Sequence, residues 1–270
     1  MLITSPVNPQ LKHARRVRDG REPGLIFIEG ERLCEECLQS GLELVAGFHV
    51  QSPSDRTEAI IAELRRRECP TYEVAEATFA TVSDTVTPQG IIIIAARPAY
   101  ALDQVFAARS ERWALVVGLD AVQDPGNLGT ILRTAEAAGA SGAVALSGST
   151  DAFAPKTLRS AMGSAFRLPV ATDVTTDELI TASQAAGVRI VATDAEAPLV
   201  YSDYDWRQPT LLILGNEARG VSHKLRARSD HVVRIPLHPP VESLNVAAAA
   251  AAILFEAARQ RREMGSGSSG

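Results

Sequence analysis

The sequence predicts an α/β protein with two unequal domains, the larger built on a mostly parallel sheet. Short apolar runs alternate with stretches of helical period, as in strands buried under crossover helices. At 270 residues the chain exceeds what one core commonly serves. The alternation is interrupted once, at residues 97–112, where Pro98 and polar ends read as a linker.

In the smaller domain, residues 1–97, Asn8 can cap a helix with Pro9 at its first position. That helix carries Lys12, His13, Arg15, Arg16 and Arg18. Residues 25–28 (LIFI) read as a strand and 30–41 as a helix ended by Gly41. A strand at 42–50, a helix at 55–68, a strand at 71–74, a short helix at 77–83 and a buried strand at 90–96 follow. Residues 98–112 are the expected linker. The larger domain, 113–264, has expected strands at 113–119, 142–146, 167–171, 188–193, 210–215 and 231–236. Its helices are expected from 127, near 156–163, and at 176–186, 221–227 and 243–263. The tail GSGSSG, 265–270, reads as a flexible end outside the fold.

Composition excludes several classes. Hydrophobic residues make up 46% and charged residues 22%, ordinary for a globular protein. Cys34, Cys37 and Cys69 are too few for a disulfide framework, and MLITSPVNPQLKHARR lacks a signal peptide's apolar core, so a cytoplasmic protein is expected. No apolar run approaches the ~20 residues of a membrane span. A net charge of −5 gives no overall attraction to nucleic acid, so such binding must rest on a local basic patch.

Three stretches stand out. GLDAVQDPGNLGTILRTAEAAGA, 118–140, runs from a strand through a glycine turn into a helix, yet Gly126 and Gly129 match neither dinucleotide nor P-loop spacing. On its helix Leu128, Ile131, Leu132 and Ala135 share the apolar face. Arg133 points away, and its plain reading is a solvated pair with Glu136. LILGNEARGVS, 212–222, ends a strand on Gly215, where a ligand can approach the backbone closely. In IPLHPPVESLNVAAAAAAILFEAARQRR, 235–262, Ser243 is a candidate cap for the last helix and Asn245 falls in its first turn. Cys34 and Cys37 lack a second ligand pair, so half-buried thiols are expected and no metal.

Jointly, DPGNLGTILRTAEAAG, LGNEARGVS and IPLHPPVESLNVAAAAAAILFEA resemble the three motifs of the SpoU/TrmH class of SPOUT methyltransferases, over residues 113–262. ITSPVNPQLK and LIFIEGERLCEECL resemble the substrate-binding domain of the ribosomal RNA ribose methyltransferases in that class. The resemblance implies a C-terminal SPOUT domain whose parallel sheet is tied in a trefoil knot, and an N-terminal ribosomal-protein-like αβα domain that recognises RNA. It implies S-adenosyl-L-methionine as cofactor, a homodimer with the active site at the subunit interface, and methylation of a ribose 2′-hydroxyl of RNA, foremost ribosomal RNA. No DNA or membrane partner is implied. A transfer RNA ribose methyltransferase and a non-catalytic RNA- or ribosome-binding protein are the alternatives.

By position, the resemblance assigns catalysis to Arg133, Asn127, Glu217, Ser243 and Asn245. It assigns the cofactor to Thr193, Leu214, Gly215, Asn216 and Gly220, and to Ile235, Leu237, Ser243, Leu244 and Asn245. Pro239 and Pro240 stand where the family often has Gly or Gln. A guanidinium stays protonated up to a pKa above about 12, so stabilising a developing alkoxide is simpler for Arg133 than taking its proton; both roles stay open. Lys12, Arg15, Arg16, Arg18 and Arg32 are the candidate RNA contacts, a local patch on an acidic chain.

Overall fold

The computed structural model describes residues 2–106 and 114–266. Of the expected linker and the strand after it, residues 107–113 lie outside the described residues, as do 267–270 of the tail. The chain forms two compact units: one comprises residues up to Pro98 with Phe153–Arg167, the other Ala99–Ala152 with residues from Leu168 on.

The first unit runs β1 (Leu2–Ile3), α1 (Pro9–Arg18), β2 (Leu25–Glu29), α2 (Glu31–Ser40), β3 (Leu44–Val50), α3 (Asp55–Arg66), β4 (Thr71–Val74), α4 (Glu76–Phe79) and β5 (Ile91–Ala96). Its sheet is mixed, in the order β1-β4-β3-β5-β2. Asn8 caps α1 through the Gln10 N–H at 2.8 Å, with Pro9 next. Leu11, Ala14 and Val17 of α1 pack with Phe27, Phe48 and Ile92 on one face of the sheet. Gly47 points the other way, against Leu64 of α3. Helices therefore cover both faces, the αβα layering the resemblance implied.

The second unit runs α5 (Leu102–Phe106), β6 (Leu115–Asp120), α6 (Pro125–Ala137) and β7 (Gly142–Leu146) before the chain departs into the first unit as α7 (Pro155–Ala161) and α8 (Ser164–Arg167). It resumes with β8 (Val170–Val174), α9 (Thr176–Ala185), β9 (Arg189–Thr193), β10 (Leu199–Val200), β11 (Thr210–Gly215), α10 (His223–Arg228), β12 (His231–Arg234) and α11 (Val246–Ser266). The strands form one sheet, β10-β12-β9-β11-β6-β7-β8, with every pairing parallel. Val105, Leu179 and Leu225 of α5, α9 and α10 pack with Val116, Val144 and Ile213 of the sheet. Helices α6 and α11 pack together, burying Leu128, Ile131 and Leu132 with Ala250, Ile253 and Leu254. Among the described residues no helix is long and apolar enough to cross a membrane.

Several expectations shift. The helix expected from 127 begins at Pro125, because Asp124 caps it and proline fits its first position. The strand expected at 167–171 is Val170–Val174, since Pro169 has no N–H for a ladder. The stretch expected as linker contains α5, whose Val105 and Phe106 are buried. The helix near 156–163, expected in the larger domain, groups with the first unit: there Arg97 lies 4.7 Å over the Phe153 ring and Arg159 pairs with Asp84 at 2.8 Å. The last helix starts at Val246 rather than 243, so Ser243 is not its cap. Asn245 caps it instead, its Oδ1 accepting the Ala247 N–H at 2.9 Å and the Ala248 N–H at 3.3 Å.

Candidate active site

Neighbouring strands β6 and β11 end together, Asp120 in register with Gly215. In open parallel sheets ligand clefts lie beyond these carboxyl ends. After Gly215 the chain doubles back at once: Asn216 and Gly220 exchange backbone hydrogen bonds of 3.0 and 2.8 Å. Asn216 Oδ1 accepts the Ala218 and Arg219 N–H groups at 3.0 and 3.2 Å. A Cβ on Gly215 would lie 2.1 Å from Gly220 C and 2.2 Å from Val221 N. The glycine is thus required by the loop's own return, before any ligand arrives.

Beside this loop lies a cavity of about 620 Å³, within the range of small-ligand sites. Thr193 lines it from the end of β9, and Leu214, Gly215, Asn216 and Gly220 from β11 and its loop. Ile235, Leu237, Ser243 and Leu244 line it from the segment entering α11. Of the residues assigned to the cofactor, only Asn245 is not in the wall. The sequence reading missed Asp194, Glu196, Arg219 and Arg234, which also line the cavity. Asp194 and Glu196 directly follow β9, and the rule of strand carboxyl ends could have found them. Asp194 pairs with Arg226.

Three of the residues assigned to catalysis form one chain of hydrogen bonds. Asn245 Nδ2 donates to Asn127 Oδ1 at 2.9 Å, and Asn127 Nδ2 donates to Glu217 Oε1 at 3.0 Å. Partial burial raises the Glu217 carboxyl, but hydrogen bonds from Asn127 and from the backbone N–H groups of Glu217, Gln123 and Asp124 outweigh it. The group is held below its ordinary range as a carboxylate. Glu217 and Ser243 face the cavity, while Asn127, Asn245 and Arg133 do not line it. Arg133 is exposed on α6, opposite the buried Leu128, Ile131, Leu132 and Ala135. Among the described residues it has no hydrogen-bond or ion-pair partner, so the pairing with Glu136 is not made.

In the first unit the basic helix divides by role. Arg15 donates to Thr81 Oγ1 at 3.2 Å and to the Pro6 carbonyl, and Arg18 donates to the Val82 and Ser83 carbonyls at 3.1 Å each. Both tie α1 to the protein. Arg16 pairs with Glu22 at 2.9 Å yet keeps 60% of its side chain exposed. Lys12 and Arg32 are exposed. Cys34 and Cys37, expected to be half-buried, are fully buried, and Cys69 is buried as well. Burial pushes the Cys37 thiol up to about 12 and raises Cys34 and Cys69 as well.

Comparison with known proteins gives consistent matches. Residues 114–255 match the SpoU rRNA Methylase family, and residues 27–101 match the RNA 2′-O ribose methyltransferase substrate binding family. The chain is 36% identical over 262 residues to the Bacillus subtilis 23S rRNA (guanosine(2553)-2′-O)-methyltransferase RlmP, covering 94% of this chain and 97% of that one. An AdoMet-bound rRNA methyltransferase from Sinorhizobium meliloti superposes with a TM-score of 0.85 at 33% identity, covering 96% and 97% of the two chains. The SpoU methyltransferase AviRb from Streptomyces viridochromogenes, in complex with AdoMet, superposes with a TM-score of 0.83 at 29% identity, covering 95% and 100%.

Proposed function

The chain belongs to the SpoU rRNA Methylase family, and from that premise we propose how its residues act. It is an S-adenosylmethionine-dependent RNA 2′-O-ribose methyltransferase, and we assign ribosomal RNA as the substrate. One observation carries the assignment of roles: Asn127, Glu217 and Asn245, which the sequence scatters over three motifs, share one hydrogen-bond chain that reaches the cavity through Glu217.

The cavity suits the cofactor. Leu214, Leu237, Leu244 and Ile253 offer apolar walls for an adenine, with backbone polar groups at the strand ends for its edges. S-adenosylmethionine supplies a methyl group on a positively charged sulfonium, and the carboxylates of Glu196 and Glu217 in the wall favour such a charge. Asn127 and Asn245 fix the position and charge state of Glu217. Arg133 has no partner among the described residues and no lone pair to give, so we assign it to the RNA phosphate and to the charge developing on the ribose oxygen, rather than to proton abstraction. Ser243, exposed in the wall, orients the ribose or the cofactor loop.

For RNA, Lys12, Arg16 and Arg32 are the proposed phosphate contacts, while Arg15 and Arg18 hold the helix that presents them. We extend the proposal to the family's trefoil knot, a cytoplasmic location and a homodimer. Val241, Leu244 and Phe255 are 52%, 42% and 47% exposed on the segment that closes the cavity, an apolar surface suited to a second copy. Sedimentation of Phe255→Glu should show monomers if that surface pairs, and an unchanged dimer would place the interface elsewhere. The central test is Arg133→Ala. Methyl transfer to ribosomal RNA should fall about 10²–10³-fold with cofactor affinity unchanged, as for loss of one charge-stabilising donor. A variant that keeps most of its rate overturns the assignment. Methylation of transfer RNA in place of ribosomal RNA would overturn the substrate.

A further inference from the structure

Asp120 is a charged residue with no role in the proposed mechanism, yet it is only 7% exposed at the end of β6. Burying a carboxylate is costly unless it is hydrogen-bonded. Its Oδ2 accepts the Ser222 N–H at 2.7 Å, so it holds the far end of the loop that folds back after Gly215. The near end is held by the next residue: Asn216 Nδ2 donates to the Ala121 carbonyl at 2.9 Å. Ala121 has φ +55°, a left-handed conformation that is strained for a non-glycine residue and persists only where its surroundings impose it. Two residues later the backbone N–H groups of Gln123 and Asp124 bond the Glu217 carboxylate in the middle of the same loop. The turn 120–124 therefore grips residues 216, 217 and 222, while Asn216, Glu217 and Gly220 line the cofactor cavity.

We propose that Asp120 is a positioning residue for cofactor binding: by accepting the Ser222 N–H across neighbouring strand ends it keeps the 216–222 loop shut against β6 and so shapes the cavity wall. The proposal rests on the reading of this cavity as the S-adenosylmethionine site. Asp120 lines no part of the cavity itself, and its effect on the cofactor passes entirely through the loop.

Calorimetric titration of the full chain with S-adenosylmethionine and with S-adenosylhomocysteine tests it. Asp120→Ala should weaken both ligands about tenfold, the equivalent of about 1.4 kcal/mol, while Asp120→Asn, which keeps an acceptor oxygen, should bind within about threefold of the parent. Ser222→Pro deletes the donor at a φ of −57° that proline tolerates, and should copy Asp120→Ala. It serves as the test if the alanine variant does not fold. Folded Asp120→Ala or Ser222→Pro protein that binds as tightly as the parent overturns the proposal. So does an Asp120→Asn variant as weak as Asp120→Ala, because the charge and not the hydrogen bond would then matter. A parent that binds neither ligand would instead overturn the cofactor reading of the cavity.

Discussion

Replacing Asn127 by alanine removes the middle of the Asn245–Asn127–Glu217 chain and two hydrogen bonds at once, of 2.9 and 3.0 Å. The bond to the Glu217 carboxylate belongs to a class worth ~1.5–3 kcal/mol and the neutral amide bond to one worth ~0.5–1.5 kcal/mol. Glu217 and Asn245 are both exposed, so water substitutes for much of the missing partner and the cost falls to ~1–2 kcal/mol. On kcat/KM that is a loss of about 5–30-fold, and on stability a fall of a few degrees in Tm. The stability part has a pH signature. The folded state holds the Glu217 carboxyl below its ordinary range, so its contribution is present above that range and is lost as pH falls through the folded pKa. Removing Asn127 returns the group toward its ordinary value, so the gap in Tm between parent and variant should be widest near neutral pH. It should shrink below about pH 4, leaving only the pH-independent share of the Asn245 bond. Methyl transfer from radiolabelled cofactor and calorimetric melts across pH read both effects. A variant with kcat/KM within twofold of the parent, or a Tm gap that does not change from pH 7 to pH 3, refutes the reasoning.

Other consequences are open to simple measurement. Gly215→Ala would place a Cβ 2.1 Å from backbone, so the loop must open; cofactor titration should show affinity reduced by at least about tenfold, together with a lowered Tm. Native protein should resist iodoacetamide at pH 8, because Cys34, Cys37 and Cys69 are buried with raised pKa values, and all three should label once guanidinium unfolds the chain. Neutralising Lys12, Arg16 and Arg32 should flatten the dependence of log RNA affinity on log salt by ~0.7 for each phosphate that no longer meets a positive charge. Arg18→Ala should leave that slope alone and lower Tm, since its guanidinium serves the Val82 and Ser83 carbonyls.

Much of the fold and part of the site were legible in the chain alone. The helix over Pro9–Arg18 announces itself by Asn8 and Pro9, and the strands at Ile91–Ala96 and Thr210–Gly215 by unbroken apolar runs. These signals are local: caps act over three residues and burial repeats with the period of the element, so a window of sequence holds the whole cause. The three motifs likewise named the residues now found around the cavity and its hydrogen-bond chain. Other features have causes that are not local. Asn127 meets Glu217 across 90 residues because β11 lies beside β6 with Gly215 opposite Asp120, and it meets Asn245 across 118 because α11 packs against α6. The same strand adjacency gives Asp120 its partner, while the return of the loop onto Gly220 and Val221 makes Gly215 obligatory. Arg15 and Arg18 look like their neighbours in a basic helix, and only the packing of α1 beside residues 81–83 turns them inward. The helix expected near 156–163 reads as one more helix of the larger domain, and only contacts with side chains distant in sequence, Asp84 and Arg97 among them, hold Phe153–Arg167 in the first unit. Residue types and period thus determined the elements, and the resemblance of the three motifs supplied the component residues of the site, while sheet order and register decided which of those residues touch.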